Sequence, residues 1–206
     1  MGLIKLNDRG VRSATAFGSV SGGPMTFIKK LTSDGSDDDL SFVDGTSDVV
    51  LDDTYKEYLF LFNDLHPETD GQTLTFQGNV AGGSGYNETM MTAMFRAYHN
   101  ETNTAAALAY DADGDQALGT AFQAISDGVG NGNDECVSGY LQLFNPSSTA
   151  FVTHFLARVN AYNESDYSIE TYTSGYFNLT GAIDEIQFKF ASGEIQAGTI
   201  SLYGIK

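Results

Sequence analysis

The sequence predicts an all-β chain, an antiparallel jelly-roll-like β-sandwich over residues 25–206 preceded by an extended basic N-terminal arm over residues 1–24. Three observations predict it. No long segment repeats its apolar residues at helical spacing. Short runs rich in β-branched and aromatic residues recur instead, several with a strict two-residue alternation. Clusters of Gly, Asp, Asn and Ser separate these runs at near-regular intervals, which is the rhythm of two packed antiparallel sheets.

In chain order the expected strands are 25–31, 40–43, 55–63, 72–78, 90–99, 116–126, 136–144, 151–162, 168–177, 183–191 and 197–205. Asp34-Gly35 separates the first two, Asp44-Gly45 follows the second, and Asp70-Gly71 divides the third from the fourth. These pairs, with Asp127-Gly128, supply residues that tolerate positive φ, as hairpin turns require. Gly82-Gly83-Ser84-Gly85 and Gly130-Asn131-Gly132-Asn133 read as longer, mobile loops. Within 55–63, Tyr58-Leu59-Phe60-Leu61-Phe62 is apolar in both phases, which predicts a central strand covered on both sides. Along 151–159, Phe151, Phe155, Ala157 and Val159 alternate with His154, Arg158 and Asn160. In 183–190, Ile186, Phe188 and Phe190 share one face and Glu185, Gln187 and Lys189 the other. In 199–205, Ile200 and Leu202 face one way, Tyr203 and Ile205 the other.

Composition bounds the partners. The 206 residues suit one domain with a tail, and 41% apolar residues suffice for a core. Charge is split by position. Residues 1–30 carry five basic groups against the single acid Asp8, a balance of +4, and the rest carry five against 26, a balance of −21. A basic leader on an acidic body suggests an arm that docks, with Lys5, Arg9 and Arg12 as its attachment charges. The net −17 argues against nucleic acid as a partner of the body, because phosphate contacts need clustered Lys and Arg. It also disfavours anionic membranes, and the run at 58–62 is far too short to span a bilayer. Cys136 is the only cysteine, so no internal disulfide is expected, and the first residues have no secretory apolar core.

Chemistry-bearing constellations are weak. Asp111-Ala112-Asp113-Gly114-Asp115 spaces three carboxylates like a Ca²⁺ loop, but Gln116 and Phe122 stand where such a loop needs Gly and Glu. It reads as an acidic turn, as does Asp37-Asp38-Asp39 with Asp34. His66, His99, His154 and Cys136 lie in no nucleophile motif. Asp184-Glu185 and Glu164 with Asp166 are the acids a glycosidase would use, but Asp184 and Glu185 point to opposite faces. The expectation is therefore no enzyme, no cofactor, no catalytic site and no metal site. Tyr86, Tyr98, Tyr110, Tyr162, Tyr167, Tyr172 and Tyr176 suit either subunit interfaces or a platform for a host surface glycan.

Several segments carry a family likeness: LIKLNDRGVRSATAFGS at the start, YKEYLFLFNDLHPETDGQTLTFQ, MFRAYHNET, LQLFNPSSTAFVTHF, and the closing GYFNLTGAIDEIQFKFASGEIQAGTISLYGIK. Together they resemble the small virion structural proteins of tailed bacteriophages, especially marine phages of cyanobacteria and related hosts. The resemblance implies a capsid-decoration or tail-appendage module, located in the virion and assembled in the host bacterial cytoplasm. It implies the major capsid or tail protein of the same phage as partner, and a homo-oligomer, a trimer by analogy. The alternative it leaves is a glycan-binding receptor module on a tail fibre.

Overall fold

The computed structural model describes residues 23–206; the expected arm charges Lys5, Arg9 and Arg12 lie outside the described residues. The described chain is all-β. Its strands are Met25–Thr32 (β1), Leu40–Val43 (β2), Glu57–Pro67 (β3), Gln72–Val80 (β4), Met90–Asn100 (β5), Ala106–Tyr110 (β6) and Ala117–Gly119 (β7). They continue with Gln123–Val129 (β8), Val137–Phe144 (β9), His154–Asn163 (β10), Tyr167–Phe177 (β11), Ile183–Phe190 (β12) and Ile195–Ile205 (β13). The larger sheet runs β1-β13-β3-β9-β10-β11-β5-β6, with β7 also paired to β5. The smaller runs β2-β12-β4-β8, and every pairing is antiparallel.

Phenylalanines hold the sheets together. Phe188 on β12 meets Phe42 (6.3 Å between ring centroids) and Phe76 (6.3 Å) of its own sheet. Across the gap it meets Phe60 (5.2 Å) and Phe62 (5.1 Å) of the larger sheet. Phe76 reaches across to Phe155 at 4.8 Å, edge to face. All are essentially inaccessible to water. Tilted and edge-to-face pairs of this kind add about 0.5–1.5 kcal/mol each to the gain from burial. Room for them is made by Gly78 on β4, where a Cβ would lie 2.8 Å from the Phe177 ring.

Buried amides fix the connection between sheets. Gln77 and Gln123 are fully buried. The Gln77 amide donates to the carbonyls of Glu88 (3.0 Å) and Ala121 (3.0 Å), and Gln123 donates to the Gly114 carbonyl (2.7 Å). Gln123 also accepts from the Thr92 hydroxyl at 2.8 Å. A buried amide without such partners would cost about 1–3 kcal/mol. These bonds explain one departure from expectation. Residues 116–126 form not one strand but two, β7 in the larger sheet and β8 in the smaller, because Gln77 draws the Ala121 carbonyl out of the ladder.

Other departures have local causes. β6 was not expected, since Ala105-Ala106-Ala107-Leu108-Ala109 has little β propensity; pairing along β5 makes it a strand, exposed throughout. Phe151 was expected to face inward, yet it is 75% exposed. It sits in a turn before β10, its N–H donating to the Ser148 hydroxyl at 3.0 Å. Asp127-Gly128 is no turn but part of β8, where a Cβ on Gly128 would come 3.0 Å from the Gly71 carbonyl. Gly35, Gly45 and Gly71 do take positive φ, as expected. Gly130–Asn133 is tied down through Asn131, whose N–H donates to Asp70 (3.1 Å) and whose amide donates to the Glu68 carbonyl (3.0 Å).

Two predictions follow from the interior. Phe188→Ala should cost about 3–5 kcal/mol in chemical denaturation by opening a cavity between the sheets, and a loss below about 1 kcal/mol would contradict that hub role. Asp184, at the bulge of β12, has one carboxylate oxygen buried without a partner. Burial, then the neighbouring Glu185, push its pKa up from the ordinary value of 3.8. A folded-state pKa above the unfolded one means that this group's contribution to stability is greatest at low pH and falls as pH rises through the raised value. Asp184→Asn should therefore raise Tm at neutral pH and flatten its pH dependence in the range just above pH 4; an unchanged pH profile would count against it.

Candidate functional site

An antiparallel sheet with one face on a core normally presents polar side chains on the other. The smaller sheet does so: Ser41, Glu185, Gln187 and Lys189 point outward. The larger sheet does so only in part: Glu170, Asn160 and Ser138 make one polar outward row. Three other outward rows cross the strands. The first is Tyr110-Phe95-Tyr172-Arg158-Tyr140-Leu61-Ser201-Lys30. The second is Ala93-Ser174-Leu156-Gln142-Leu59-Tyr203-Phe27, and the third Met91-Tyr176-His154-Phe144-Glu57-Ile205-Met25.

These rows form one aromatic and aliphatic surface. Phe95 and Tyr172 stack in parallel, 4.7 Å apart with 6° between planes. The Arg158 guanidinium lies 5.2 Å from the Tyr172 ring centroid and is ion-paired with Glu170. That carboxylate holds Arg158 still more firmly in its protonated form. At the far edge Phe27 packs edge-on to Tyr203 at 5.6 Å. Yet Phe27 is 55% exposed, Phe95 42% and Leu156 47%. A shallow depression of about 230 Å³ lies among Phe95, Tyr140, Leu156, Arg158 and Tyr172.

Charge is close to balanced on this surface. Its rows carry Lys30 and Arg158 against Glu57, and Glu170, in the adjoining row beside Asn160, is ion-paired with Arg158, while residues 23–206 carry seven basic groups against 26 acids. The central strand β3 lies inside a sheet, as the doubly apolar pattern predicts. Only its inner phase, Tyr58, Phe60 and Phe62, is buried by the smaller sheet; Leu59 and Leu61 are half-buried on the outer face. Among the described residues the expected cover on both sides is found on one. Residue 24 joins β1 at the edge of the same face, where the Lys206 N–H donates to the Pro24 carbonyl at 3.0 Å.

The tyrosines singled out by sequence divide. Tyr110, Tyr172 and Tyr176 belong to the surface, and Tyr162 lies beyond it on β10, its hydroxyl donating to Glu101 at 2.9 Å. That bond holds the Tyr162 hydroxyl protonated, its pKa pushed up to about 12. Tyr98 and Tyr167 pair on the opposite side at 5.7 Å, and Tyr86 lies near Phe122. Phe95, Tyr140, Leu156 and Phe27 were not singled out. Their signal was present in strands that are apolar in the outward phase as well.

The histidines and the cysteine lie in three separate places. His66 and Cys136 share a depression of about 540 Å³ with Asp64 and Glu135. Burial and then Asp64 push the Cys136 thiol up, the reverse of what a nucleophile needs. His99 bonds Asn103 at 3.0 Å, and His154 lies against Tyr176. Two of the three Asp111–Asp115 carboxylates are occupied locally. Asp111 faces Arg96 at 3.6 Å and accepts the Gly114 N–H at 3.2 Å, while Asp115 accepts from the Tyr110 hydroxyl. Asp34 accepts the Ser36 N–H at 3.0 Å, and Asp39 accepts from the Ser41 hydroxyl. Among the described residues no group of three or more His, Cys, Asp or Glu side chains converges to hold a metal ion, and no helix is long and apolar enough to cross a membrane.

With Asp111 and Asp115 so engaged and no three acids converging, the 111–115 turn should ignore calcium. Millimolar Ca²⁺ should move Tm by less than about 1 °C, in the parent and in Asp113→Ala alike; a rise abolished by Asp113→Ala would make the turn a cation site. Comparison of the chain with protein-family models, with curated proteins and with solved structures returns no match.

Proposed function

We propose that this chain is a non-enzymatic structural component of a phage particle, a capsid-decoration or tail-appendage protein anchored to the major capsid or tail protein by residues 1–24. The observation that carries the assembly reading is the outer face of the larger sheet, which is aromatic, charge-balanced and broad on an otherwise acidic body. Large exposed apolar patches mark interaction surfaces. The phage setting rests on the resemblance of the segments described above. The basic segment enters at the edge of this face through β1, so an anchored body would lie with the face close to its attachment point.

Strand order supports the jelly-roll reading of the fold. β1-β13-β3-β9 and β2-β12-β4-β8 are two interlocked sets of four. Within them β1/β2, β3/β4, β8/β9 and β12/β13 each pass from one sheet to the other, and β5–β7 and β10–β11 extend the larger sheet. Such a fold hosts many activities, so the surface rather than the topology bears on function.

A second reading, a glycan-binding receptor module, draws on the depression at Tyr140, Arg158 and Tyr172, where aromatic rings flank a guanidinium and the Ser174 hydroxyl. Glycan-array binding lost on Tyr172→Ala would favour it over assembly.

Deleting residues 1–24 should leave the thermal midpoint of the body unchanged and abolish its incorporation into particles. Normal incorporation of the truncated chain would refute the anchor.

A further inference from the structure

We propose that a second copy of this chain covers the outer face of the larger sheet, the two packing sheet against sheet about a twofold axis. The inference deepens the assembly reading and rests on it for the requirement that the face be covered.

Charge selects the partner. Two copies, each at net −17, repel one another through most of their surfaces. The face at β1-β13-β3-β9-β10-β11-β5-β6 is different, because Lys30 and Arg158 offset Glu57 and Glu170. A patch of net charge would repel its own copy; a patch carrying both signs in equal number does not. A strongly basic partner would instead favour the acidic turns at Asp34–Asp39 and Asp111–Asp115, which lie off these rows.

Area agrees. The face spans eight strands. At about 4.8 Å per strand spacing and about 7 Å per outward row, three rows cover about 700 Å² on each copy, close to the ~800 Å² per partner of a stable protein interface. The middle of the patch holds the groups that dominate interface energetics, two tyrosines and an arginine, with Leu156 beside them. Tyr172 and Arg158 are already held in place, by the Phe95 stack and the Glu170 ion pair, so little side-chain freedom remains to be lost on pairing.

Sedimentation equilibrium of the full-length chain tests this. The parent should show twice the chain mass at micromolar concentration. Its association should strengthen as salt rises, because screening relieves repulsion between the acidic bodies. Leu156→Glu, and independently Phe27→Glu at the β1 end of the second row, should weaken association at least about tenfold. Both variants should remain folded, with the far-UV circular dichroism of the parent, as both side chains are already about half exposed. A threefold mass, a dimer indifferent to both substitutions, or one that dissociates as salt rises would overturn the pairing. A chain that is monomeric at about 100 µM yet enters particles would overturn the pairing and leave the assembly reading standing. A dimer that particles exclude would end the assembly reading and leave the pairing.

Discussion

The contact of Phe188 with Phe60 and Phe62 across the two sheets is the constraint on which the remaining architecture depends. It requires that β12 lie over β3, and so places the four strands of the smaller sheet over one portion of a much wider sheet. The aromatic interior also decides which phase of each strand turns inward. Once Phe60, Phe155 and Phe188 are buried, Leu59, Leu156 and Lys189 must point away. The exposed apolar surface is therefore a direct corollary of the core. The same alternation that hides the phenylalanines puts leucines and tyrosines outside on the wider sheet.

Polar groups then settle what the apolar interior leaves open. Apolar packing is weakly directional, so it fixes layers better than connections. Gln77 and Gln123 are directional, and by capturing the carbonyls of Ala121 and Gly114 they decide where the chain leaves one sheet for the other. Arg96 contributes a further tie, its guanidinium reaching Asp127 of β8 from β5 and standing near Asp111. The two sheets are thus joined by greasy contacts in the middle and by amide and ionic contacts toward the β5 side.

Most strands were legible from sequence because their alternation is strict and their turns carry Asp-Gly or Gly clusters. β12 and β13 lie within two residues of the expected bounds, with the expected inward residues. β6 was not legible, since an alanine-rich segment becomes a strand only through a partner strand, and local propensity is silent about that. The division of 116–126 was hidden for a related reason: its cause, Gln77, lies some forty residues away in the chain. For the surface, the doubly apolar run at 58–62 was the available signal. It announced that both phases need cover but could not say that only one cover lies within the described residues. Lys5, Arg9 and Arg12 stand outside those residues, so charge pattern alone speaks for them.

The strict alternation has a consequence for inheritance. Neighbouring letters in β10 answer to separate constraints: Phe155, Ala157 and Val159 to the core, Leu156 and Arg158 to the outer face. Drift in the second group leaves the scaffold intact, so a lineage could swap its associates without inventing a new architecture. Descendants of this chain would keep every other residue of these strands and rewrite the ones between.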